Sequence, residues 1–259
     1  MSEVRDNAKL FELAPEEILV PLKVTHAGRT YRVSHCLRPP APADWYAYEA
    51  ALEPAVEELP PDAAGGEPSY RLALRASDAA LELWGRLIGR VEGYALPPGE
   101  EWRELIPLAH KEASVRALTL VAPTRPEAAT GSNGFFPLAA EEVRVTLEAA
   151  AGGAAYPRLV HRFRAPSVEA ERRYRRLLAD NFIVRGSRAP RTLLPPRLPT
   201  LVRLYDQLIL GVEGYSIKGQ PPASRDQLLE HMDAWHKRVA VEALFGTPAA
   251  DTPAAESSE

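Results

Sequence analysis

"FELAPEEILV", residues 11–20, returns as "FPLAAEEVRV" at residues 136–145, and no other feature constrains the fold of this chain so tightly. Phe11, Leu13, Ala14, Glu16, Glu17, Val20, Leu22, Gly28 and Tyr31 recur 125 positions on as Phe136, Leu138, Ala139, Glu141, Glu142, Val145, Leu147, Gly153 and Tyr156. After a one-residue insertion, His35, Arg38, Pro40, Tyr48 and Leu52 recur at a spacing of 126 as His161, Arg164, Pro166, Tyr174 and Leu178. "LIGRVEGY" (87–94) returns as "LILGVEGY" (208–215), and "HKEASVRAL" (110–118) as "HKRVAVEAL" (236–244). The blocks keep their order, and the gaps fall in Pro/Gly-rich segments where insertions are tolerated. A period this long exceeds the roughly 20–50 residues of solenoid and propeller repeats, so each copy is expected to be a small domain. A chain of 259 residues has room for two.

The sequence therefore predicts an α+β protein of two tandem homologous units, 1–121 and 135–246, with a linker at 122–134 and a disordered acidic tail at 247–259. Each unit is expected to be a β-hairpin followed by about three helices. "ILVPLKVTHAGRTYRVSHCLR" has β-branched runs on both sides of a glycine-containing turn, and "VRVTLEAAAGGAAYPRLVHRFR" matches it. Asp44 is placed to cap a helix through "WYAYEAAL", matched by one through "EAERRYRRLL". A further helix is predicted to end at "VEGY", with Gly93 and Gly214 as left-handed residues closing it. The last helix of each unit carries the HK block.

Composition narrows the function classes. One cysteine, Cys36, cannot form an internal disulfide, the start "MSEVRDNAK" lacks an apolar signal-peptide core, and no stretch has the apolar length of a membrane helix. These features predict a cytoplasmic protein with no membrane partner. The net charge of −4 argues against a general polyanion binder, but the charge is unevenly spread. Residues 38–67 hold one cation, Arg38, against seven anions, while residues 158–191 hold ten arginines against Glu169, Glu171 and Asp180. Two explanations stand. The units face each other as a covalent pseudo-dimer with complementary charge, or the arginine-rich segment meets an external acidic protein or a nucleic-acid backbone, with nucleic acid the less favoured.

Four of the six histidines fall in repeat pairs, His35 with His161 and His110 with His236. They are expected to be structural, held by hydrogen bonds inside each unit. His231 and His236 are five apart rather than the four that puts two ligands on one helix face, and neither CxxC nor HExxH is present, so no metal is expected. Cys36 beside His35 suggests a nucleophile on paper, yet the second copy has Arg162 at the cysteine's place. Gly85, Gly89 and Gly93 have the spacing that lets helices approach closely, a feature of the first copy alone. Trp45, Trp84, Trp102 and Trp235 are expected to anchor cores. Phosphate loops, dinucleotide glycines, nucleophile elbows and kinase signatures are absent, so no cofactor and no catalytic residue is predicted.

The hairpin "VPLKVTHAGRTYRV", its short proline-rich connection and the helix "PADWYAYEAAL" resemble the start of phage tail assembly chaperones over residues 17–55, and more loosely over 142–180. The resemblance implies a non-enzymatic cytoplasmic protein of virion assembly that binds tape-measure and tail-tube proteins. The partner-binding surface expected on that basis and on charge comprises Arg172, Arg173, Arg175, Arg176, Arg185 and Arg188, with the hairpin edges second. The alternatives are an adaptor or structural component of a larger complex, possibly binding nucleic acid, and an enzyme using the paired histidines.

Overall fold

The computed structural model describes residues 10–26, 28–52, 55–59, 69–73, 75–96, 102–124, 141–151, 153–179 and 197–246; for 55–59, 69–73 and 178–179 the description is of the backbone. The 125–134 part of the predicted linker, the predicted tail, Phe136 and Arg185 and Arg188 lie outside these residues. In chain order the elements are β1 (Phe11–Glu12), β2 (Ile18–His26), β3 (Arg29–Leu37), α1 (Pro42–Leu52), β4 (Ala55–Leu59), β5 (Ser69–Ala73), α2 (Ala76–Leu87), β6 (Ile88–Glu92), α3 (Trp102–Leu105), α4 (Leu108–Leu118), β7 (Val121–Pro123), β8 (Glu142–Ala151), β9 (Ala154–Arg164), α5 (Val168–Ala179), α6 (Leu198–Leu208), β10 (Ile209–Glu213), β11 (Tyr215–Ser216), α7 (Arg225–His231) and α8 (Ala234–Phe245). The result is a mixed α+β protein with antiparallel sheets and eight described helices. No described helix is long and apolar enough to cross a membrane.

Alternation builds the hairpins. In β8, Val145, Leu147 and Ala149 point inward while Arg144, Glu148 and Ala150 face out, the period of a strand with one buried face. Hairpin β2–β3 receives β6 as a third strand, and hairpin β8–β9 receives β10. The two additions share a register. His35 pairs with Val91 and Leu37 with Ile88, across a bulge; His161 pairs with Val212 and Phe163 with Ile209, again across a bulge.

The third strand corrects the sequence reading. The helix expected to run to "VEGY" stops at Leu87 and at Leu208, and the chain turns directly into β6 and β10. Ile88 and Val91, like Ile209 and Val212, fit either a last helical turn or a strand, and an unpaired edge of β3 or β9 decides the matter by supplying hydrogen-bond partners. Gly93 and Gly214 do take positive φ, +79° and +85°, but behind a strand rather than a helix. A Cβ there would lie 2.5 Å from the Arg32 carbonyl oxygen and 2.6 Å from that of Arg158, a close approach open to glycine alone. Gly85 sits on an exposed face of α2 and Gly89 in β6, so the three glycines line no common helix face.

Asp44 is the second correction. It is a first-turn residue, and its carboxylate reaches back to accept the Ala41 amide at 2.8 Å while holding the Arg38 guanidinium at 2.8 and 3.0 Å. Among the described residues the short helices α3 and α7 bring each half to four helices where about three were expected.

Two cores form, and each borrows from the other half. Leu198 and Ala234 are buried with Trp45, Leu83, Trp84 and Leu87, while Leu13 is buried with Leu147, Phe163, Leu201 and Tyr205. β1 pairs in parallel with β11, and β7 joins the edge of the second sheet against β8. Strands at the two ends of the first half thus pair with strands of the second.

Candidate functional site

The repeated histidines converge on repeated tyrosines. In the first half the Trp84 indole N–H donates to His35 Nδ1 at 3.0 Å, His35 Nε2 meets the Tyr94 hydroxyl at 2.9 Å, and that hydroxyl meets His110 Nδ1 at 3.0 Å. An indole can only donate, so Nδ1 of neutral His35 is the acceptor, Nε2 carries the proton, and the Tyr94 hydroxyl passes its own hydrogen to His110. Ser114 Oγ also touches His35 Nδ1 while bonding the His110 carbonyl at 2.8 Å. In the second half Tyr205 takes the place of Trp84: its hydroxyl is 3.0 Å from His161 Nδ1, His161 Nε2 is 2.7 Å from the Tyr215 hydroxyl, and Tyr215 is 3.2 Å from His236 Nδ1. The same donor order accounts for these three contacts of the second network.

Burial sets the protonation. It holds His35 down at about 4, helped by the positive charge that His110 and Lys111 place nearby, and His161 down at about 3, helped by His236. His110 and His236 are lowered by burial as well. Burial pushes Tyr94 up to about 12 and raises Tyr205 and Tyr215 well above their ordinary value. A general acid or base works best with a pKa near the operating pH. His35 and His161 are therefore neutral struts at pH 7, tying the inner strands β3 and β9 to the helices over them. Cys36 faces away from its neighbour His35, as adjacent strand residues must, and burial raises its thiol pKa.

A cavity of about 450 Å³ opens between the halves, walled by Phe11, Leu19, Pro40, Trp45, Tyr156 and His236 among others. The volume suits a small ligand. Two of its carboxylates, Asp233 and Glu12, are engaged within the protein: Asp233 accepts from Trp45 Nε1 at 2.7 Å and from the Trp235 amide at 2.8 Å. Glu12, whose burial would raise its pKa, is held below the ordinary value by the amides of Gly219, Lys218 and Ala14 and by Ser216.

The arginine surface lies on α5. Arg172, Arg173, Arg175 and Arg176 are exposed; Arg175 pairs with Glu171 one turn back, and Arg176 Nε lies 3.4 Å from the Arg172 carbonyl. Tyr174, on the opposite face, is buried and stacks on Phe245 at 4.6 Å, which fastens α5 to α8. The acidic helix α1 packs on α2 of its own half and on α6 and α8, where Glu49 accepts the Leu198 amide at 2.7 Å and sits 3.7 Å from Arg238. Trp45 stacks on Trp235 at 5.2 Å across the same contact.

Tyr94, Tyr215, Trp84 and Tyr205 carry the two networks, and sequence reasoning gave them no part. The signal was the repeat itself, since Tyr94 and Tyr215 end the two "VEGY" blocks. No protein-family model, curated protein or solved structure matches the chain.

Proposed function

We propose that this chain is a non-enzymatic binding and assembly protein, of the phage tail assembly chaperone kind, whose α5 arginine face receives an acidic surface of a partner protein. The carrying observation is the exposure of four guanidinium groups on one rigidly seated helix. Arginine forks suit carboxylate partners, and the neutral imidazoles of His35 and His161 favour binding over acid–base chemistry. We further infer that the two halves are copies of one unit. The matching strand registers, the paired bulges, the two left-handed glycines and the repeated histidine–tyrosine networks support this reading.

The test is capture of tape-measure and tail-tube proteins by the full chain at low and high salt, beside a variant with Arg172, Arg173, Arg175 and Arg176 all changed to Ser. The expected result is salt-sensitive capture that the variant loses while keeping its helicity. Recovery of nucleic acid alone, or capture unchanged in the variant, would refute the proposal.

A further inference from the structure

The cavity between the halves is lined by a histidine with an unspent hydrogen-bond donor. His236 belongs to its wall and is only 4% exposed. Nδ1 of that ring meets the Tyr215 hydroxyl at 3.2 Å, and Nε2 has no hydrogen-bond partner among the described residues. With the donor order of the histidine–tyrosine network, the Tyr215 hydroxyl gives its hydrogen to Nδ1, so the proton of His236 sits on Nε2. Nε2 is not sealed inside protein either. Among the described residues Thr124 Oγ1 is the one fully enclosed side-chain nitrogen or oxygen without a partner, so Nε2 opens on the space that its residue lines. A polar atom in such a place takes its partner from whatever fills the cavity.

The rest of the wall restricts what that can be. Phe11, Trp45, Tyr156 and Met232 give the cavity an apolar, largely aromatic lining. Leu19 and Leu120, 43% and 52% exposed, lie on the same wall, two large apolar side chains left uncovered where the halves meet. The charge on the wall has one sign. Glu12, Glu17, Glu230 and Asp233 line the cavity and, among the described residues, no lysine or arginine does, so an anion would be taken from water without a counter-ion. A cation fares little better. Asp233 and Glu12 already accept from Trp45 Nε1 and from the Lys218 and Gly219 amides, Glu17 holds Arg90 at 2.8 Å, and Glu230 is exposed to water, where an ion pair is worth little.

We propose that this cavity binds an uncharged, largely apolar small molecule carrying a hydrogen-bond acceptor, its oxygen on the His236 Nε2–H and its body against Phe11, Trp45 and Tyr156. The volume of about 450 Å³ falls within the range of small-molecule sites. Both halves supply the wall, so the ligand ties them together and stabilises the fold by mass action. None of the α5 arginines lines the cavity, which makes the site additional to the partner-binding face.

The probe is prodan, an uncharged naphthalene ketone whose emission moves to the blue in apolar surroundings, titrated into the full chain. Two relatives accompany it: an analogue with a methylene in place of the carbonyl, and the anionic anilinonaphthalene sulfonate. One prodan per chain is expected to bind, with blue-shifted emission and a raised urea midpoint, and the sulfonate to bind at least about tenfold more weakly. His236→Phe keeps a ring of similar shape and removes the donor, so it should weaken prodan about fivefold to tenfold and leave the methylene analogue, which reports an intact cavity, unchanged. Leu19→Trp, at an exposed position of the wall, takes up space and should weaken both uncharged probes at least about fivefold, a test that stands even where His236→Phe does not fold. Circular dichroism checks both variants. A parent that binds no prodan, sulfonate binding as tight as prodan, prodan binding that Leu19→Trp leaves unchanged, or an equal loss of both uncharged probes in folded His236→Phe each overturns the proposal.

Discussion

Acid should unfold this protein well before its carboxylates protonate. His35 and His161 ionise near 6.5 in the unfolded chain, but in the fold they are held at about 4 and about 3. Between those limits the unfolded state binds protons that the native state refuses, so stability is fully present above about pH 6.5 and is lost as pH falls toward 4 and 3. At pH 5 each unfolded imidazole is almost wholly protonated and each folded one almost wholly neutral. With one pKa unit equal to about 1.4 kcal/mol, each costs about 2 kcal/mol there relative to pH 7.5, and the pair about 4 kcal/mol. That is a large part of the roughly 5–15 kcal/mol that holds a domain together. His110 and His236, also lowered, add in the same direction. Glu49, raised by burial, works partly against them as it gains its proton more readily in the fold. The assay is urea unfolding at pH 7.5, 6.5, 5.5 and 5, followed by tryptophan fluorescence. His161→Gln should lower stability at pH 7.5, because the Tyr205 and Tyr215 hydroxyls lose a partner, and should shrink the pH dependence by about half. A flat profile from pH 7.5 to 5 in the parent, or an undiminished slope in the variant, would refute the account.

Gly93→Ala and Gly214→Ala should each destabilise by at least about 1–3 kcal/mol from backbone strain, with the carbonyl clash added, whereas Gly28→Ala, where a side chain meets open space, should cost less. Equal urea midpoints for the three would sink this. Trp45→Phe removes the bond to Asp233 and weakens the stack on Trp235, so it should cost about 1–3 kcal/mol. Because each core borrows from the other half, the parent should melt in one calorimetric transition; two well-separated transitions would contradict the shared cores. Cys36→Arg and Arg90→Gly together rebuild the arrangement of Arg162 and Gly211, so the double variant should be less destabilised than the sum of the singles. Strict additivity would count against it.

What the sequence disclosed followed from periodicity. The hairpins were legible because β-branched runs flank a glycine-containing turn in each, and α5 because "EAERRYRRLL" matches the helix expected through "WYAYEAAL". The third strands were not, since "LIGRVE" and "LILGVE" continue an apolar pattern out of a helix and only the open edge of β3 or β9 makes them strands. The histidine pairs stood out at repeat spacing, but their partners Trp84 and Tyr205 differ in type, so identity alone did not join them. The role that a donor-only indole and a phenol share is visible once both are seen against Nδ1 of the same strand histidine. The exchange of β1 and β7 into the second half had no local signal, because two or three residues of strand carry no period.

The departures from the repeat are as informative as its matches. In the first half Cys36 pairs with Arg90 across the sheet, and Arg90 reaches Glu17 at 2.8 Å. In the second half Arg162 pairs with Gly211, and Arg162 reaches Glu142, the counterpart of Glu17, at 3.0 Å. Compared position by position, these are two unrelated differences. Compared as neighbours, they are one guanidinium supplied from the middle strand instead of the third, to the same carboxylate. An edge glutamate at a hairpin start gains from a fixed cation, and the sheet offers two adjacent positions from which to supply it, so either solution serves.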